Sequence, residues 1–223
     1  MNELISSTLT ILSNELGKAV YETCIMMAIS FAVSLVLGTI LGFILYLTSS
    51  NAFYNRPLVN KCVGSAVNFV RSIPFIILVV FTLPLTFFLV GTKIGPIAAS
   101  VPLAITATVF LARLVEIALA EIDPGVIEAA LACGASNSLI IRKVLLVEAA
   151  PAILRGITVT FISLIGFSAM AGMVGGCGIG NLAVQYGYYR YETGIMIFTI
   201  VFLVILVQIV QHLGDYLAKK FSH

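Results

Sequence analysis

Long runs of apolar residues, hardly interrupted by charge, organise this chain. Five of them predict membrane-spanning helices, at about 25–47, 65–90, 94–115, 156–175 and 193–214. A helix rises about 1.5 Å per residue and the hydrocarbon core of a bilayer is about 30 Å thick, so roughly 20 apolar residues cross it. In the second run the uncharged part is Ser72–Val90, extended backwards through Ser65–Val70. Residues 1–20 are apolar in patches, but two glutamates and Lys18 interrupt them, which predicts a short interfacial helix rather than a span. Glu3 and Glu15 precede the first lysine, so this end lacks the positive n-region of a cleaved export signal. Residues 216–223 read as a cytoplasmic tail. The pattern predicts an all-α, polytopic membrane protein with five transmembrane helices.

Composition narrows the function classes. The 223 residues are 60% hydrophobic and only 10% charged, with a mean hydropathy of +1.12; a soluble domain is about 25% charged. A disordered tail, a nucleic-acid reader and an ordinary soluble enzyme are excluded. The 12 basic residues set the orientation. With the N-terminus outside and the C-terminus inside, only Lys18, Lys93 and Arg190 face outward and the other nine face the cytoplasm, as the positive-inside rule requires. Cys24, Cys62, Cys133 and Cys177 are far apart and have no metal-ligand spacing, so they read as small buried hydrophobes. His212 and His223 are isolated, and no Ser/His/Asp set or paired catalytic carboxylates occur, so no chemical step is expected from this chain.

The centres of the spans hold no Asp, Glu, Lys or Arg. A charge there costs at least about 2.5–3.5 kcal/mol and is kept for proton relays or ion paths. The energy for any transport is therefore expected from another chain, although sodium held by backbone carbonyls stays open. Arg113 and Glu116, three apart near the inner end of the third run, read as an anchoring pair that snorkels. Gly38 and Gly42 form a small-x-x-x-small face for close helix packing. Six glycines between Gly166 and Gly180 predict a close-packed wall and a sharp exit loop; no Gly-Lys-Ser/Thr follows to make a nucleotide loop.

The polar stretch Glu121–Lys143 is the most informative segment. Asp123-Pro124 reads as a helix N-cap followed by proline at the first helical position. The helix beginning there is too short to span, and Gly134 is placed to end it with positive φ. Ser136 or Asn137 then caps a second short helix ending at Arg142-Lys143. Two brief helices on the cytoplasmic side make an element that protrudes and docks: Ala129 and Ala130 admit a partner's backbone, and Glu128 offers an anion to a basic partner.

This segment, Glu128-Ala129-Ala130-x3-Gly134, resembles the signature of the type I permease subunits of bacterial ABC importers, EAA-x3-G-x9-I-x-LP. Val144 and Leu146 stand at its Ile and Leu; Val147 replaces the proline, and Pro151 follows four residues later. Within the family the chain is most similar to the methionine-transporting branch, through Asn68-Phe-Val-Arg71-Ser-Ile-Pro74-Phe-Ile-Ile, Gly91-Thr-Lys-Ile-Gly95, Arg142-Lys-Val-Leu-Leu146, Gly166-Phe-Ser-Ala-Met170 and Gln185-Tyr-Gly-Tyr. The resemblance covers about residues 20–215. It implies the type I ABC importer permease fold, a homodimer in the bacterial cell membrane (the inner membrane of a Gram-negative cell), two ATP-binding subunits inside and a methionine-binding protein outside. ATP and Mg would sit on the partner ATPase, with no cofactor in this chain, and about residues 121–146 would be the coupling helices.

The resemblance also assigns a gate. Met170 stands where the branch closes its central passage, and Ser163, Gly166 and Met173 are helical neighbours able to share its face. From spacing alone the two methionines read as gap-fillers between helices. Apolar, polarizable walls suit a thioether passing through, and L- or D-methionine is the implied substrate. Permeation of another amino acid, or ion-coupled secondary transport, are the alternatives. A secondary transporter usually has inverted repeats and a midplane ionisable group.

Overall fold

Helix α1 runs unbroken from Asn2 to Leu47 in the computed structural model, which describes residues 2–49 and 56–221. At about 1.5 Å per residue its 46 residues cover roughly 70 Å, twice what a bilayer core needs. The boundary expected near residue 20 is thus absent, and the predicted interfacial helix is the first part of a longer one. Packing explains the continuity: Ile11, Leu12, Leu16 and Ala19 lie against Ile179, Leu182 and Ile195.

The second predicted span is broken. Helix α2 covers Pro57–Ser72, α3 covers Phe75–Phe81 and α4 covers Leu83–Val90. Pro74 cannot donate the backbone hydrogen bond that would carry α2 onward; it sits at φ −55°, ψ 135° and leads into α3 instead. Pro84 falls in the first turn of α4, where no N–H is needed. Helix α5 spans Pro96–Ala120 and absorbs Pro102 in its interior. Among the described residues four helices are long and apolar enough to cross a membrane, or five with the pair Pro57–Ser72 and Phe75–Phe81 taken as one. Among the described residues there is no strand.

After α5 come the short helices α6 (Pro124–Ala132) and α7 (Asn137–Ile140), a π turn at Ile141–Leu145 and α8 (Leu146–Glu148). Helix α9 (Ala150–Ala171) leads through a π turn at Gly172–Gly176 to α10 (Gly178–Leu182), a further π turn at Ala183–Tyr188, and α11 (Thr193–Phe221). The last helix continues through the residues expected as a tail, as far as Phe221; Ser222 and His223 lie outside the described residues.

The chain forms two compact units, each assembled from three stretches of sequence. One comprises the residues through Val33, Ile73–Ala107 and Phe161–Val210. Its core is built on Met26, Leu103, Leu164 and Ala171, with Phe31 edge-on to Phe161 at 4.9 Å between ring centroids. The other comprises Ser34–Ser72, Thr108–Thr160 and the residues from Gln211 on. There Leu111, Val115, Leu119, Ile140 and Leu145 are all fully buried together.

The small-x-x-x-small face of α1 is used as expected. A Cβ on Gly42 would stand 2.6 Å from Val115 Cβ and 2.7 Å from Ala112 O. Gly42→Val therefore forces the helices apart; overpacking of this kind costs about 1–3 kcal/mol. Thermal unfolding of the detergent-solubilised protein should show a lowered midpoint for Gly42→Val. Gly17→Ala is the control, because nothing lies within 4 Å of that position, and it should match or slightly exceed the parent.

The cysteine expectation is corrected. Cys24, Cys62 and Cys133 are exposed and Cys177 is half-buried. A thiol is small and weakly polar, so sequence hydropathy does not say which side of a helix carries it.

Candidate functional site

The segment that follows α5 folds almost entirely by local rules. Asp123 caps α6, its side chain accepting a hydrogen bond from Gly125 N at 2.8 Å, and Pro124 opens the helix. At the other end Gly134 adopts φ 80°. Gly134 N donates to Leu131 O (2.9 Å) and Ala135 N to Ala130 O (3.1 Å), the paired closure of a Schellman motif. Ser136 then caps α7, its hydroxyl accepting from Leu139 N. These four signals were all legible in the sequence.

One face of this element is fastened and the other is free. Ile127, Ala130 and Ala135 pack on the cluster of Leu111, Val115, Leu119 and Ile140. Glu128, Ala129 and Gly134 are exposed, with Ala130 half-buried between the two sides. Val126 and Leu131 are exposed large hydrophobes nearby. The result is a short, braced helix showing small and apolar groups with one carboxylate among them, a surface suited to a protein partner.

Two expectations change here. The second short helix does not end at Arg142-Lys143, because the π turn Ile141–Leu145 carries it into α8. Where Val147 replaces the family proline the helix simply continues, and Pro151 occupies the first turn of α9. Arg113 does pair with Glu116, but it also reaches α2, where it donates to Asn68 Oδ1 at 2.8 Å and Gly64 O at 3.3 Å. The guanidinium ties two helices of one unit together, where a snorkelling anchor was expected. Its partners 45 and 49 positions away in sequence lie beyond the reach of spacing arguments.

The four residues expected along the passage share one side of α9 and its continuation. Met170 and Met173 are 44% and 49% exposed, Gly166 is exposed and Ser163 half-buried. Met173 lies in the π turn rather than in regular helix, yet still faces outward. Beside them runs an open groove of about 320 Å3 lined by Ile162, Ile165, Gly166, Ala169, Leu203, Val204, Val207 and Gln208. Gly166 belongs to both features. The wall is apolar but for Gln208, and it carries no formal charge.

Behind this stripe the glycine-rich turn is wound tightly. A Cβ on Gly180 would come within 2.3 Å of Ala169 Cα, and one on Gly172 within 2.6 Å of Asn181 N. The close packing and the sharp turn expected from the glycines are both present. Glu22 and Thr23 of α1 hydrogen-bond to the start of α10. Nothing in the sequence marks these two residues, since their partners stand 156 positions further on.

Residues 34–223 match the family described as binding-protein-dependent transport system inner membrane component. The methionine import system permease protein MetP of Bacillus subtilis is 48% identical, over 90% of this chain and 90% of its own length. The D-methionine transport system permease protein MetI of Escherichia coli K12 is 45% identical, over 70% of this chain and 72% of its own. A solved chain of the MetNI methionine ABC transporter, in inward facing conformations, superposes with a TM-score of 0.90 at 43% identity, over 93% of this chain and 96% of that one. An amino acid ABC transporter solved with histidines shares the fold, with a TM-score of 0.79 at 16% identity over 95% and 96% of the two chains. With its braced short-helix element and several apolar helices, this multi-pass membrane protein belongs to the family of inner membrane components of binding-protein-dependent transport systems.

Proposed function

We propose that two copies of this permease enclose a pathway for methionine, powered by two ATP-binding subunits on the cytoplasmic side and supplied by a methionine-binding protein outside. Each chain lies N-terminus out and C-terminus in, as its basic residues favour. Lipid surrounds the exposed apolar faces. Glu128, Ala129, Ala130 and Gly134 dock on the ATP-binding subunit, which carries ATP and Mg; this chain performs no hydrolysis. Closure of the ATP-binding pair moves the docked element, and with it the spans, between inward-open and outward-open states.

The observation that carries the reading is the uncharged stripe of Ser163, Gly166, Met170 and Met173, exposed on one chain save for the half-buried Ser163. A second copy related by a two-fold axis would close such a half-wall into a passage. Methionine side chains are adaptable and polarizable, so they can shape themselves to a thioether without a fixed polar site that would hold it. Similarity to methionine permeases of other bacteria supports the substrate.

The deciding experiment reconstitutes the permease with its ATP-binding subunit and binding protein and measures uptake of radiolabelled L- and D-methionine. ATP-dependent accumulation that unlabelled methionine competes away is the expected result. Accumulation of a different amino acid, with methionine neither carried nor competing, would overturn the substrate assignment.

A further inference from the structure

Beyond α9 the backbone passes through conformations that few residues tolerate. Gly175 has φ 92°, Cys177 has φ 63° with ψ −160°, and Gly178 has φ 83°. A cysteine in that region is strained, and such strain persists only where the surroundings over-determine it. The first N–H groups of α10 also have no acceptor within their own helix.

Helix α1 supplies what the turn lacks. Glu22 Oε2 accepts from Gly178 N and Thr23 Oγ1 accepts from Ile179 N, each at 2.9 Å. Thr23 is buried and sends its own proton to Ala19 O at 2.9 Å. Two consecutive side chains thus serve two consecutive backbone donors. The fit has no slack: a Cβ on Gly178 would stand 2.6 Å from Thr23 Oγ1 and 2.8 Å from Met26 Cε. A carboxylate acceptor makes the stronger, charge-assisted kind of hydrogen bond.

We propose that Glu22 and Thr23 are positioning residues that latch the turn at 172–178 to α1, holding Met170 and Met173 in the pathway wall. When this latch is loosened the turn unwinds, the methionines lose their register, and the passage leaks. The role in leak rests on the pathway reading given above; the latch itself is tested separately.

Cys177 is the reporter for the latch, being half-buried in the turn. Burial, and then the negative charge of Glu22, push its thiol pKa up. Removing Glu22 would therefore quicken thiol chemistry even if nothing moved. Glu22→Gln controls for this, since it loses the charge but keeps an oxygen that accepts from Gly178 N. In the assembled permease–ATPase complex, maleimide modification of Cys177 is followed by peptide mass, with the other cysteines left in place. Glu22→Ala should be modified about fivefold faster than Glu22→Gln, the change expected when the neutral hydrogen bond that glutamine retains is lost. Thr23→Val, nearly isosteric, should also be modified faster than the parent.

Equal rates for Glu22→Ala and Glu22→Gln would overturn the latch. Should the alanine variant fail to assemble, Thr23→Val decides: faster modification supports the proposal and the parent rate overturns it. Passive methionine efflux from proteoliposomes, without ATP, is measured alongside with Met170→Ala. Efflux raised by Met170→Ala but not by Glu22→Ala removes the latch from the mechanism. Efflux raised by neither, with Cys177 still modified faster in Glu22→Ala, leaves the latch standing and sinks the pathway reading instead.

Discussion

Gly134→Val lowers ATP-driven uptake at least about tenfold while the membrane fold stays intact. The argument is conformational. Gly134 sits at φ 80° with nothing within 4 Å of where a Cβ would be, so valine meets no clash. It meets the left-handed backbone penalty, about 1–2 kcal/mol and more for a β-branched side chain. Helix α6 has nine residues, none of them fully buried, and only the half-buried Ile127 and Ala130 pack on the cluster beneath to set against that cost. Its closure at Leu131 O and Ala130 O opens, and the face bearing Glu128 and Ala129 loses its shape. About 1.4 kcal/mol is a factor of ten in any equilibrium between docked and undocked states. Gly134→Asn should restore most of the function, because asparagine tolerates positive φ. Glu128→Lys tests the charge with the backbone left alone, and should release the ATP-binding subunit during purification. ATP hydrolysis and uptake are measured together in proteoliposomes. If Gly134→Val and Glu128→Lys both co-purify and transport normally, the docking assignment is wrong.

Met170→Ala raises passive methionine efflux severalfold and leaves assembly with the ATP-binding subunit unchanged. The side chain is half exposed in one chain, so shortening it leaves no hole in that chain's core and the fold should survive. What it removes is bulk from the face assigned to the passage. Met170→Leu conserves volume and should behave nearly as the parent, since swaps of this kind usually cost less than about 1.5 kcal/mol. A gap-filling methionine would behave differently: alanine there would lower the unfolding temperature and leave efflux alone. Efflux, uptake and thermal midpoint measured on the same preparations separate the two roles. Unchanged uptake together with unchanged efflux would remove Met170 as a gate.

The short-helix element between α5 and α9 shows how far local chemistry can be read. Asp123 to Gly125, Gly134 to Leu131, Ala135 to Ala130 and Ser136 to Leu139 are all interactions within five residues. Each depends on one side chain or one backbone angle, and so each was visible in the order of the residues. The break before α3 also has a local cause in Pro74, although the run 65–90 was expected as one span. Arg113 was different. Its spacing to Glu116 gave the intrahelical pair, yet its bonds to Asn68 and Gly64 depend on α2 lying alongside α5. The exposed cysteines were misjudged for a related reason, because a residue type has an average burial but a position has an actual one.

Hydropathy and capping residues settled which stretches become helices, where α6 starts and stops, and that the chain brings no charge into the middle of its spans. Those properties follow from each residue's exchange with water or lipid and from hydrogen bonds to near neighbours. Whether residues 8–20 continue α1 depended on Ile179, Leu182 and Ile195 offering them an apolar surface. Which N–H groups Glu22 and Thr23 would satisfy, and whether Met170 would point inward or out, depended likewise on partners remote in the chain. Packing is a relation between distant segments, and the free energy of a buried face exists only once its counterpart has arrived.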